Sequence, residues 1–380
     1  MGSSLGFART LDGVQERRSR VRALATVTPH EQRRRRRRRR RRAAALGLLA
    51  AATLANGCGT PAPGAVYRDQ RIPVVDMHLH QGEWHGVPAS TQSLLASRFP
   101  FPFNLNPEQT ASGVLSAEGI VAELDAAGIS HGVLLAVYAP RSVGVATNET
   151  MVESVGRAPT RLWGLASLRV DAWEENGAEE LARLEQMLGE PGVIGVKLAH
   201  THMHFRMDDP RYYGIYEVAG AAGKPVYLHS GPSPFPGTNQ KPPYTDPAFL
   251  EEAIASYPET TFILGHVGYD FINKKLGAFE TCVSLALAYE NVYLEPSALG
   301  SAGSDPTDEN LPRVMKRIRE AGLVDRVIYG SDGPQSPGFV GEYLARTIRA
   351  MEAADYTVDE VRAVLSGNFA RVFKVEVQAL

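Results

Sequence analysis

From Ile72 onward the chain alternates short apolar runs with segments whose apolar residues recur every three or four positions. The runs are IPVVDMHLH (72–80), ISHGVLLAVYAP (129–140), RLWGLASLRV (161–170), VIGVKLAH (193–200), KPVYLHSG (224–231), TTFILGHVG (260–268), NVYLEPS (291–297) and RVIYGSDGP (326–334). Near-continuous Val, Ile and Leu, rather than strict alternation with polar residues, marks strands buried on both faces of a parallel sheet. Between them SAEGIVAELDAAG, ENGAEELARLEQMLG, DPRYYGIYEVAGAAG, DPAFLEEAIASY, residues 274–290 and TDENLPRVMKRIREAG read as helices, with TVDEVRAVLSGNFARVF (357–373) as closing helices. Several open on an Asp, Ser or Thr that can accept from the free N–H groups of a first turn. They end on a Gly that tolerates a left-handed turn.

Eight strand–helix units predict an α/β fold, a (β/α)8 TIM barrel, with residues 81–114 inserted after the first strand as a lid. The intervals agree: Lys197 to His229 is 32 residues, His229 to His266 is 37, His266 to Glu295 is 29 and Glu295 to Asp332 is 37, each long enough for one βα unit. An open doubly wound sheet is the alternative. It would normally place a Gly-rich phosphate loop after its first strand, and HLHQGEW is not one.

In an extended strand alternate side chains share a face, so Asp76, His78 and His80 are expected to point one way and Met77 and Leu79 the other. In such a barrel catalytic residues come from the C-terminal ends of several strands, which meet at one mouth. Here those ends carry His78, His80, Lys197, His229, His266, Glu295 and Asp332. Singly, a strand-end histidine is more often structural, and Ser-Asp-Gly is an ordinary turn. Together, neutral imidazoles and carboxylates with an open position are what a catalytic zinc or similar divalent ion needs. Arg141 and Arg169, at the ends of the second and third strands, are candidates to clamp a substrate carboxylate.

Charge and composition change the picture mainly at the N-terminus. The first 57 residues hold 15 of the 40 basic residues and 3 of the 42 acidic ones; from Cys58 onward 25 basic residues face 39 acidic ones. That balance argues against nucleic acid as a partner of the folded part. Arg33 to Arg42 is an unbroken arginine run, followed by AAALGLLAAATLA (43–55) and then NGCGTPAPG. An apolar run this short behind a basic segment fits the core of a secretory signal rather than a membrane span. A solvated basic arm is the competing reading of the arginines. Only two cysteines occur, Cys58 and Cys282, so no disulfide framework is implied.

Two stretches carry resemblances. LANGC resembles a bacterial lipobox, although Leu54 stands one place further from Cys58 than usual, and implies an exported cell-envelope lipoprotein held to the membrane through lipidated Cys58. The domain organisation is then an N-terminal extension and signal peptide (1–57), a Pro/Gly-containing linker (58–71) and the barrel domain (72–380). Taken in order, VVDMHLH, GVIGVKLAH, PVYLHSG, FILGHVG, NVYLEPS and VIYGSDGP resemble the amidohydrolase superfamily. Within it they are similar to the amidohydrolase-related family that includes aminocarboxymuconate semialdehyde decarboxylase. That resemblance implies that His78, His80, His229 and Asp332 bind the metal and that His266 acts as acid/base; the ligand chemistry suggests one divalent ion, zinc or alternatively manganese, with Asp332 also placed to hold the attacking water. The fourth-strand sequence KLAHTHMH departs from the family's usual Lys-Leu-His-Pro, which leaves open which of His200, His202 and His204 faces the pocket; all three are read as loop residues. Lys197 is read as a nearby charge, with a carboxylated lysine bridging two metals as the alternative. The expected function is hydrolysis of a small-molecule ester, lactone or amide. Non-oxidative decarboxylation and a non-catalytic surface-anchored binding protein are the alternatives.

Overall fold

The structure, a computed structural model, describes residues 63–377. The arginine run, the signal-like segment and Cys58 lie outside the described residues, and among these no helix is long and apolar enough to cross a membrane. Within the stretch read as a linker, β1 (Ala65–Tyr67) and β2 (Gln70–Ile72) form an antiparallel hairpin. Tyr67 anchors it by donating its hydroxyl to the Tyr356 carbonyl at 2.6 Å. Ordered packing therefore starts before Ile72, because Ala65, Tyr67 and Ile72 all find buried places on the domain.

Next come β3 (Val75–His80) and β4 (His131–Leu135), then a small antiparallel hairpin of β5 (Val137–Ala139) and β6 (Gly144–Ala146). β7 (Leu162–Ala166), β8 (Val193–Leu198), β9 (Val226–His229), β10 (Phe262–Gly265) and β11 (Val292–Glu295) complete the strands. β3, β4 and β7 to β11 make one seven-stranded parallel sheet in the order β3-β4-β7-β8-β9-β10-β11. It curls into a TIM barrel. Helices return the chain between strands, with caps where the sequence places them: Ser116 Oγ accepts from Gly119 N–H at the start of helix Ala117–Ala127, and Gly128 ends it at φ 70°. Helices Asn148–Arg157 and Phe339–Ala353 add to the predicted set.

The eighth apolar run does not form a regular strand. Residues 327–333 instead bridge the two sheet edges, Val327 pairing with Leu294 of β11 and Gly333 with Leu79 of β3. Ile328 N–H donates to the Leu294 carbonyl (3.0 Å), Met77 N–H to Tyr329 (3.2 Å), Asp332 N–H to His78 (3.0 Å) and His80 N–H to Gly333 (2.7 Å). The run is broken because Asp332 adopts a left-handed φ of 67°, which no extended ladder accommodates.

β3 is irregular at the same level, its register against β4 shifting between Asp76 and Leu79. The expected alternation therefore fails across the bulge. Met77 packs with Val133, Leu135, Tyr227 and Phe369 in an inner cluster, whereas Leu79 joins the larger cluster with Ile120, Leu124 and Leu134.

Close packing at the ends of β9 and β10 generates a stability prediction. A Cβ on Gly265 would overlap the Tyr227 hydroxyl and ring, and Tyr227 is fully buried. Gly265→Ala is expected to cost about 1–3 kcal/mol, the usual range for overpacking. Its thermal unfolding midpoint should fall by several degrees, while an unchanged midpoint would show that the ring moves freely.

Candidate metal centre

The strand ends and the closing segment bring a compact polar cluster together at the mouth. His78 Nε2 and His80 Nε2 lie 3.2 Å apart. Asp332 Oδ1 sits 3.0 Å from the first and 2.9 Å from the second. His78 Nδ1 faces Glu295 Oε1 at 3.3 Å, and a carboxylate only accepts, so when the ring is neutral Nδ1 carries the proton and Nε2 presents its lone pair. His78 Nε2 and Asp332 Oδ1 thus both offer electrons to one small region beside His80 Nε2. A single cation there satisfies all three, so the donor set fits a divalent ion. Side-chain exposure rises from 0% at His78 to 16% at Asp332 and 37% at His80. The cluster is closed on one side and open on the other, as a catalytic site must be.

A second layer fixes these donors. The Tyr227 hydroxyl lies 2.9 Å from His78 Nδ1 and donates to Glu295 Oε2 at 3.1 Å. Ser297 Oγ donates to the same carboxylate oxygen at 2.7 Å and lies 2.9 Å from His266 Nδ1. The Ser297 carbonyl, 3.3 Å from that Nδ1, can only accept. It sets the His266 tautomer, leaving Nε2 as the lone-pair nitrogen of a ring that lines the cavity. Gln335 donates to Asp332 Oδ2 at 2.7 Å.

Burial and mutual fields shape the ionisation. Burial alone would raise Asp332, but its contacts with His78 and His80 hold it well below the usual carboxylate range. Glu295 is likewise lowered, burial being outweighed by His78, His266 and Ser297. Burial drives His266 down to about 4 against the pull of Asp332, and lowers Lys197 to about 8.

Of the residues singled out in the sequence, His78, His80 and Asp332 are in direct contact. A ring nitrogen of His266 falls within 4.8 Å of ligand atoms of His78 and Asp332. His229 stands one step off: its ring lies 4.5 Å from that of His266, and its Nε2 is buried with no hydrogen-bond partner. The KLAHTHMH ambiguity resolves into three different environments, and the segment forms a short helix, His200–Met203, rather than a loop. His202 lines the cavity, with Nδ1 3.0 Å from Ser142 Oγ. His200 packs on Phe205, and the half-buried His204 places Nε2 2.6 Å from the Gly237 carbonyl.

Arg141 lies beside His204, and Arg169 stacks over Tyr138; neither lines the cavity. Arg98, from the insertion, does, and rests over the Phe235 ring at 5.5 Å. Among the described residues it has no ion-pair partner. Lys197 Nζ stands 4.1 Å from the Tyr227 ring centroid, also with no ion-pair partner among the described residues. Tyr227 and Arg98 escaped the sequence reading. The first sits two places before His229 on a strand read as purely apolar there, and the second lies in an irregular insertion with no periodic pattern to place it.

The family model described as "Amidohydrolase" matches residues 75–375. No curated protein matches the chain. Among solved structures, a TIM-barrel protein of Bordetella bronchiseptica is similar at 19% identity and a TM-score of 0.60, over 80% of this chain and 99% of that one. A dihydroxybenzoic acid decarboxylase from Polaromonas sp. JS666, with bound manganese and the inhibitor 2-nitroresorcinol, is similar at 20% identity and a TM-score of 0.55, over 80% and 97%. A probable 2-pyrone-4,6-dicarboxylic acid hydrolase from Acinetobacter baumannii, with citric acid bound, is similar at 17% and 0.53, over 80% and 100%.

The second layer yields a prediction separate from the ligands themselves. Glu295→Ala removes the acceptor of the His78 Nδ1 proton and should weaken divalent-ion binding by about 10–100-fold, the typical effect of losing such a partner. Metal retained after dialysis against a weak chelator measures it. Retention equal to that of the parent would remove Glu295 from the centre.

Proposed function

The chain belongs to the amidohydrolase family, and from that premise we propose that it is a metal-dependent hydrolase of a small ester, lactone or amide. His78, His80 and Asp332 would hold the ion, with the unpaired Nε2 of His229 as a fourth donor. Zinc suits this donor set, and manganese is the alternative. A divalent ion there supplies Lewis acidity, polarising a substrate oxygen and making water acidic enough to attack near neutral pH.

The observation that carries the hydrolytic reading is the His266 tautomer. With Nδ1 turned to the Ser297 carbonyl, Nε2 is a proton acceptor beside His78 and Asp332, the role hydrolysis asks of it when water attacks. The same nitrogen, once protonated, can return the proton to the leaving group. Asp332 accepts from Gln335 through Oδ2, which holds its carboxylate plane while Oδ1 faces the imidazoles.

The cavity, about 990 Å³, combines apolar walls from Leu95, Phe99, Val137 and Phe271 with the cations Arg98 and Lys197. That lining suits a substrate with an apolar body and a negative group.

Decarboxylation of an aromatic acid is the second reading. The likeness to a manganese-bound dihydroxybenzoic acid decarboxylase and the cavity cations Arg98 and Lys197, which have no ion-pair partner among the described residues, favour it. A panel of esters and lactones against aromatic carboxylic acids, run on the metal-reconstituted domain, separates the readings by acid release or by carbon dioxide release. Acid release supports hydrolysis; carbon dioxide alone overturns it.

We further propose export and membrane attachment through lipidated Cys58. Fractionating cells that express the parent and Cys58→Ser tests this, and equal membrane partition of both would count against lipidation.

Two variants divide the labour at the site. His266→Ala should keep most of its metal and lose about 10²-fold or more in turnover, the scale of a positioned proton-transfer group. Asp332→Ala should lose both metal and turnover. Equal metal loss in the two would make His266 a ligand. Separately, if His78→Ala with His80→Ala holds as much metal as the parent, the site is misassigned.

A further inference from the structure

We propose that Asp76 is a positioning residue for the metal centre: its carboxylate ties His78 to the segment bearing Asp332 and thereby sets the affinity for the ion. The proposal rests on the reading of this cluster as a metal site.

Asp76 is fully buried, and its Oδ1 accepts from two amides, His78 N–H at 3.1 Å and Ser331 N–H at 2.9 Å. One amide belongs to a ligand, the other to the residue preceding a ligand. The backbone bonds across the closing segment use the amides of Met77, His80 and Asp332 instead. The two amides stranded by the paired irregularities, the bulge in β3 and the left-handed turn at Asp332, therefore converge on one oxygen. Ser331 Oγ in turn accepts from Gly333 N–H at 3.0 Å, closing the turn that presents Asp332.

There is little slack around this staple. A Cβ on Gly330 would overlap Glu295 Oε1 and come within 2.8 Å of the His78 Cβ. A shift of residues 330–332 thus disturbs His78 and its carboxylate partner together. The second oxygen of Asp76, Oδ2, is buried with no hydrogen-bond partner. A buried carboxylate with one oxygen unpaired is a costly way to gain stability alone, whereas an acceptor in the gap between two ligand-bearing segments is what positioning requires.

The test compares Asp76→Asn, which keeps a carbonyl acceptor at the same reach, with Asp76→Ala, which removes it. Zinc and manganese affinities are measured by chelator competition on each folded variant, beside the parent and His78→Ala. Asp76→Ala should bind about 10–100-fold more weakly, the range typical of a residue that supports a ligand, and Asp76→Asn should restore most of the affinity. If the parent binds neither ion, the metal reading fails and this proposal falls with it. If the parent binds and Asp76→Ala binds equally well, the proposal alone is overturned. Asp76→Asn falling as far as Asp76→Ala would also overturn it, by showing that charge and not hydrogen bonding matters. Should Asp76→Ala not fold, Asp76→Leu fills the space without an acceptor and takes its place. Collapse of both would assign Asp76 to stability and overturn the positioning role.

Discussion

The site depends on how the barrel closes. Seven strands are held by parallel ladders, but the last gap, between β11 and β3, is spanned by a segment that makes only bridges with its neighbours. A continuous ladder there would have kept Asp332 extended, with its side chain alternating like any other. The left-handed turn lifts its carboxylate to within 3.0 Å of both imidazoles of β3. Irregular backbone at this one seam is what allows groups 252 residues apart in the chain to share an oxygen.

That geometry brings an electrostatic problem, since charged and lone-pair groups are removed from water. The structure answers with reciprocal pairing: Glu295 takes bonds from Tyr227 and Ser297 and faces His78, while His78 and Asp332 lower each other's cost. Lys197 is the exception, a buried amine against an aromatic face, and burial correspondingly pulls its pKa down to about 8.

Much of this was legible in the sequence because strand period and βα spacing are local properties. The seven ladder strands, the capped helix Ala117–Ala127 and the identity of the strand-end residues all come from patterns a few residues long. Helix Phe339–Ala353 was not among the helices read, although its buried Val340, Tyr343, Leu344, Thr347, Ala350 and Met351 fall at helical spacing. The bulge in β3 was not legible. It arises from pairing with residues some fifty positions on, and a single inserted position moves every later side chain of the strand to the opposite face. For the same reason the contacts of His202 and the approach of Arg98 came only with the fold.

The inner cluster carries one more consequence. Phe369 and Phe373, from the last helix, pack on one another with ring centroids 4.5 Å apart and sit among Val75, Met77, Leu165, Ile194 and Ile263. They form an apolar stopper at the end of the barrel opposite the mouth. They present only apolar rings on that side of the imidazoles, whereas the cavity opens on the other. The helix that carries these rings, although none of its residues joins the cluster, thus works as insulation beneath the site: it lowers the local dielectric on that side and strengthens the fields between the charges above it.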